Sequence, residues 1–196
     1  MKKLILASQS PRRKELLLEH GFQFEIIPSH TAETLDPKLT PAQNALLIAK
    51  QKALEVAQKK EGIILAADTI VEIKNKILGK PKDKIHARKM LEELSGQSHK
   101  VITAFVIHDS QTKKEISKIV STKVTLKKLS SQFIEHYLTT HNPIDKAGGY
   151  AIQEDGDQFV EKIEGSLTNV VGLPIEEIKD ALQEFGILPF DHNKRS

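Results

Sequence analysis

The sequence predicts an α/β fold: a mixed central sheet flanked by helices, in two lobes around a cleft. In the first half, short apolar runs alternate with segments of helical periodicity, the order that parallel βαβ units produce. In the middle, two long strand patterns spanning 101–126 are separated by Asp109-Ser110-Gln111-Thr112, which reads as an antiparallel hairpin. A length of 196 residues suffices for one good core or two small lobes. With 39% hydrophobic and 28% charged residues, the chain is neither a membrane protein nor a disordered one by composition.

Each element has a local reason. Lys3 to Ala7 is apolar enough for a buried strand. Ser10 then caps a helix opened by Pro11, whose missing N–H costs nothing at the first helical position. That helix runs through Glu15-Leu16-Leu17-Leu18 and stops at Gly21. Phe22, Phe24 and Ile26 alternate as a second strand, and residues 29–40 form a polar loop with Glu33, Asp36 and Pro37. Thr40-Pro41 repeats the cap-and-proline start, and Ala45, Ile48, Ala49, Lys52, Ala53 and Val56 keep helical spacing to about Lys60. Ile63 to Ala67 is a central strand expected to end at Asp68-Thr69.

Beyond it, Ile70 to Ile73 and Lys76 to Leu78 flank a hairpin turn at Lys74-Asn75. Lys84 to Leu94 is a helix closed by Gly96, and Ser131 to Thr139 is another. Tyr150 to Ile152 and Phe159 to Ile163 read as short strands. Pro174 starts a last helix that ends near Gly186. Residues 1–190 are expected to form a single domain, followed by a charged tail over 191–196.

Several function classes drop out at once. With no cysteine, disulfide scaffolds, thiolate zinc sites, iron–sulfur clusters and cysteine nucleophiles are excluded. Lys plus Arg total 29 against 26 for Asp plus Glu, a net +3 that suits a small anionic ligand better than a nucleic-acid polymer. Trp is absent, so stacking platforms for single strands are few. The apolar run Leu4 to Ala7 is too short for a signal peptide, and no stretch is long enough for a membrane span, so a cytoplasmic location is expected. Dinucleotide-binding, P-loop, zinc-protease and nucleophile-elbow motifs are all missing.

The informative polar residues fall at element ends. Ser8-Gln9-Ser10-Pro11-Arg12-Arg13 lies between a strand and a helix start, where free N–H groups, the helix dipole and two guanidiniums favour an anion. A plain cap with a solvated first turn is the other reading of the same residues. Asp68 follows the most apolar strand and reads as a base, a metal ligand or a turn cap. Lys80, in Leu78-Gly79-Lys80-Pro81, is either a phosphate clamp or a surface lysine. Asp145-Lys146-Ala147-Gly148-Gly149-Tyr150 allows close backbone approach to a ligand, or makes a simple turn. The eight histidines show no ligand spacing, and Lys123, Lys127 and Lys128 read as a solvated face.

Taken in order, these segments resemble the Maf family of nucleoside triphosphate pyrophosphatases. The resemblance rests on Leu6-Ala7-Ser8-Gln9-Ser10-Pro11-Arg12-Arg13 with Leu16-Leu17, then Ala67-Asp68-Thr69, Gly79-Lys80-Pro81, and Met90-Leu91 to Leu94-Ser95-Gly96. It continues through Asp145-Lys146-Ala147-Gly148, Ile152-Gln153, and Gly165-Ser166 to Asn169-Val170-Val171-Gly172-Leu173-Pro174. It implies an inosine triphosphate pyrophosphatase-like fold and hydrolysis between the α and β phosphates of a nucleotide, with a divalent cation, Mg²⁺ or Mn²⁺. Asp68 matches the family's catalytic carboxylate and Glu33 the acid that assists at the metal, so both are candidate metal ligands. Arg12, Arg13, Lys52 and Lys80 match its phosphate-handling cations, with Ser8 in the same substrate-binding segment. Arg13, Thr69 and Gln153 fall where the branches diverge in base selection, and resemble the dTTP and UTP branch. The resemblance also implies a homodimer as the candidate assembly, and carries an alternative reading: a non-enzymatic nucleotide-binding regulator of septum formation. Leu167 departs from the usual aromatic, and Glu154 and Asp157 occupy a loop often rich in glycine.

Overall fold

A computed structural model describes residues 2–190; the predicted tail over 191–196 lies outside the described residues. The elements follow in the order β1 (Leu4–Leu6), α1 (Pro11–Glu19), β2 (Glu25–Ile26), α2 (Pro41–Lys59), β3 (Ile63–Ile73), β4 (Lys76–Leu78), α3 (Lys84–Leu94), β5 (Ser98–Asp109) and β6 (Glu115–Leu126). Then come α4 (Ser131–Thr140), a 3₁₀ turn (Ala147–Gly149), α5 (Gly156–Phe159), β7 (Val160–Glu164), α6 (Leu167–Val171) and α7 (Ile175–Gln183). The strands form one mixed seven-stranded sheet in the order β2-β1-β3-β5-β6-β7, with β4 paired to β3. The expected α/β class with a mixed sheet is therefore observed. The chain divides into two compact units: one of residues up to Asp68, Thr103–Val120 and the chain from Gly172, the other of Thr69–Ile102 and Ser121–Val171.

In the first unit β1 pairs in parallel with both β2 and β3. Helices α1 and α2 supply the crossovers that parallel pairing needs. Helix α1 begins at the predicted Ser10-Pro11, although the Ser10 hydroxyl makes no capping bond. Helix α2 has a full capping box, in which Thr40 and Gln43 each satisfy the other's backbone N–H. Its stripe Ala45, Ile48, Ala49, Ala53 and Val56 is buried, as are Ile63 to Ala67 of the central strand. The second strand is shorter than its alternation predicts: Phe22 is buried ahead of it, and only Glu25 and Ile26 pair.

The second unit packs α3 and α4 around Met90, Leu91, Leu94, Ile134, Tyr137, Leu138, Tyr150 and Phe159. The turn Lys74-Asn75 has φ of 47° and 64°, the left-handed pair that a two-residue hairpin requires. Two expectations fail here. Strand β3 does not stop at Asp68-Thr69 but continues to Ile73, because Ile70, Val71 and Ile73 carry the buried pattern onward. Tyr150 to Ile152 is not a strand: the Ala151 N–H is taken by the Tyr137 hydroxyl at 2.9 Å instead of by a neighbouring strand.

Candidate active site

The first unit brings Ser8, Arg13, Glu33, Lys52 and Asp68 into one connected network. Ser8 is buried just after β1, and its Oγ accepts from the Ser10 N–H at 3.2 Å and from Arg13 Nη1 at 3.3 Å. Arg13 lies on the inward face of α1 and is itself buried. Its Nε donates to the Gly172 carbonyl and its Nη1 to the Ala67 carbonyl, both at 2.8 Å. The guanidinium thus straps the stretch after β1 and the segment at Gly172 to β3, one residue before Asp68. Burial lowers the Arg13 pKa, while Asp68 and Glu33 pull it back up and neighbouring Arg12 lowers it. A guanidinium nevertheless stays protonated in a protein. Arg12 is half-buried on the same helical turn.

Lys52 sits on the buried stripe of α2, one turn from Ile48 and one from Val56. Its Nζ donates to Asp68 Oδ1 at 2.8 Å and to Glu33 Oε1 at 2.7 Å. The Lys52 and Asp68 side chains are only 8% and 10% exposed, against 40% for Glu33. Two carboxylates from different segments therefore converge on one ammonium. Burial raises the Asp68 pKa above the ordinary carboxylate value, and the nearby charge of Glu33 pushes the same way. Lys52 and Arg13 oppose that rise. Such a carboxyl is a better proton acceptor than an exposed one.

The second unit carries the other three candidates. Thr69 is half-buried on β3, directly after Asp68. Lys80 is exposed in the turn after β4, where the Gly79 carbonyl accepts from the Gly148 N–H at 3.1 Å. Gly148 has φ +75°, and a Cβ there would lie 3.3 Å from Val71, so glycine is favoured where this turn packs against β3. Gln153 is exposed, and its side chain makes no hydrogen bond among the described residues. Its flanks are fixed: the Tyr137 hydroxyl donates to Glu154 Oε2 at 3.0 Å, and Lys146 Nζ lies 3.1 Å from Glu154 Oε1. His141 Nε2 meets Asp155 Oδ2 at 2.9 Å. Glu154, in the loop expected to be richer in glycine, is thus an anchor of that loop.

The Maf-like protein family matches residues 3–185, nearly the whole chain. The chain belongs to the Maf family. A Maf relative from Bacillus pumilus named dTTP/UTP pyrophosphatase is 45% identical over 191 residues, covering 97% of this chain and 100% of its own. One of the same name from Alkaliphilus oremlandii is 49% identical over 177 residues, covering 89% of this chain and 92% of its own. Among solved structures, a HAM1 protein from Coxiella burnetii covers 94% of this chain and 100% of its own, with a TM-score of 0.54 at 17% identity. That likeness places the fold.

Sequence reasoning passed over Asn44 and Glu55 of this Maf protein. Asn44 is 1% exposed, and its side chain binds Asp36 and Leu39 of the loop that carries Glu33. Glu55 binds Ser29, His30 and Thr31 of the same loop. With Lys52 they line one face of α2, at steps of eight and three residues. Polar residues at inward positions of an amphipathic helix were the available signal.

Proposed function

We propose that this Maf protein is a nucleoside triphosphate pyrophosphatase that hydrolyses dTTP and UTP to the monophosphate and pyrophosphate. The relatives that match it over most of its length carry that activity in their names. The observation that carries the chemistry is the buried Asp68 carboxylate, held by Lys52 with Arg13 beside it. A water gives its proton to Asp68 as its oxygen adds to phosphorus. The α–β anhydride bond breaks, and the bridging oxygen leaves with the electron pair. Arg12, Lys52 and Lys80 offset the negative charge of the triphosphate, which is the main electrostatic demand of such a transfer. Ser8 and Arg13 fix the backbone before Asp68 in this reading. Gln153 offers a donor and an acceptor together, the complement of the imide edge of uracil or thymine, with Thr69 assisting base selection.

A divalent cation, Mg²⁺ or Mn²⁺, belongs to the same reading. The residues fit it: Asp68 and Glu33 already converge on one positive centre, and oxygen donors without cysteine suit a hard ion. Among the described residues no group of three or more acidic or histidine side chains gathers, so Asp68 and Glu33 would hold the ion with phosphate oxygens completing the shell. When bound, it supplies Lewis-acid neutralisation of phosphate charge. A cytoplasmic location and a homodimer complete the proposal; among the described residues no helix is long and apolar enough to cross a membrane.

The test is direct. Purified protein is incubated with dTTP, UTP and 7-methyl-GTP in Mg²⁺ or Mn²⁺, and pyrophosphate is measured. Release from dTTP and UTP is expected, with kcat at least about 100-fold lower in Asp68→Asn. No product from any of the three, or full activity in Asp68→Asn, overturns the proposal.

A further inference from the structure

We infer that Glu55 is a positioning residue for this reaction, acting through the loop that carries Glu33. The inference rests on the role given to Glu33 above. Residues 27–36 adopt no regular structure, and Ala32 to Leu35 are exposed, so the apolar core does not fix this stretch. Its anchors are side chains of α2. At one end Asn44 Oδ1 accepts from the Asp36 N–H at 2.8 Å, while its Nδ2 donates to the Asp36 and Leu39 carbonyls. At the other end a single oxygen, Glu55 Oε2, accepts from the Ser29 hydroxyl, from the His30 N–H at 2.9 Å and from the Thr31 hydroxyl at 2.8 Å.

The second Glu55 oxygen accepts from Lys59, one turn further along α2. Four donors on one carboxylate hold it ionised, well below the usual carboxylate range. The clasp and its target share one rigid support, because Lys52 is three residues before Glu55 and Glu33 is two residues after Thr31. The clasp therefore limits where the Glu33 carboxylate meets Lys52, at 2.7 Å. Without it, three loop donors turn to water and the loop regains conformational freedom. The apolar core is untouched, so the protein itself stays folded.

Four variants separate this role from a purely structural one: Glu55→Ala, Glu55→Gln, Glu33→Gln, and Glu55→Ala combined with Glu33→Gln. Glu55→Ala should lower kcat about tenfold and raise the Mn²⁺ concentration for half-maximal rate, leaving KM for dTTP within about twofold. Glu55→Gln keeps an oxygen that can accept the loop's donors and should restore most of the rate. The combined variant should be no slower than Glu33→Gln, since both act through one group. In metal-free, nucleotide-free protein, amide exchange at His30, whose N–H donates to Glu55, and at Thr31, whose N–H donates to the clasped Ser29 hydroxyl, should accelerate in Glu55→Ala, with the melting temperature little changed. Impaired Glu33→Gln beside unimpaired Glu55→Ala removes the clasp alone. Fully active Glu33→Gln removes the role of Glu33 and this inference with it. Losses that multiply in the combined variant also overturn it.

Discussion

Replacing Lys52 by Met removes the charge while keeping most of the apolar stem, and so isolates what the ammonium does for folding. The residue faces two carboxylates of unequal weight. Glu33 is substantially exposed, and losing an exposed pair costs about 0–1 kcal/mol. Asp68 is not: its side chain is 10% exposed, and stripping a buried carboxylate of its partner costs about 3–5 kcal/mol. At about 2–4 °C per kcal/mol for a chain of this size, the melting temperature should fall by roughly 6–20 °C at neutral pH. The pH dependence is diagnostic. Asp68 already has a folded pKa above its unfolded value, so its ionisation destabilises the fold as pH rises through the folded pKa. Removing Lys52 raises that pKa further. The deficit of Lys52→Met should therefore be full above the variant's Asp68 pKa and shrink by about 1.4 kcal/mol per pH unit below it. Urea unfolding of wild type, Lys52→Met and Lys52→Met/Asp68→Asn between pH 5 and 8 measures this, and the double variant should recover most of the loss. A deficit that ignores pH, or a double variant as unstable as the single one, would refute the charge argument in favour of packing.

Two further outcomes follow from buried polar groups in the second unit. His99 is 3% exposed, and burial lowers its pKa to about 4, so it folds neutral. Stability should fall as pH drops from about 6.5 to about 4, by about 3 kcal/mol in total, and His99→Phe should flatten that limb in denaturant titrations. An unchanged acid slope in the variant would assign the loss to other groups. The Asn169 amide donates to the Val101 carbonyl and to Thr122 Oγ1, both at 3.0 Å, in a fully buried setting. Asn169→Ala should lower urea stability by about 2–3 kcal/mol, while Ser166→Ala, at a half-buried hydroxyl, should cost less.

Much of the fold is written locally. Proline at Pro11 and Pro41, the Lys74-Asn75 turn and Gly96 after α3 each mark a boundary that the structure places within a residue or two. What local signals misjudge is polarity that tertiary structure satisfies. Asp68-Thr69 looks like the end of a strand, because an acid in an apolar run is costly without a partner. The partner is Lys52, sixteen residues earlier on a different element, so β3 passes straight through. The same holds for Tyr150 to Ile152, where a distant hydroxyl replaces the expected neighbouring strand. Among the site residues, Arg12, Arg13 and Asp68 stand out by type and place. Lys52 and Glu33 were reachable only through family resemblance, and Asn44 and Glu55 only as polar residues at inward positions of α2, with no local signal for the loop they bind.

Helix α2 shows why the missed residues matter together. A helix selected for stability alone would carry apolar side chains at Asn44 and Lys52, since replacing a buried ion pair by well-packed apolar groups is commonly neutral or stabilising. Instead, Asn44 holds one end of an irregular loop, Glu55 holds the other, and Lys52 between them binds both Glu33 and Asp68. The capping box at Thr40 fixes where the helix begins, and the buried stripe from Ala45 to Val56 fixes its rotation. Both degrees of freedom that would blur the three contacts are thereby removed. A site that needs a carboxylate held within fractions of an ångström gains more from a regular helix than from a loop. Every member of the network, from Ser8 to Asp68 and back to Gly172, belongs to the first unit.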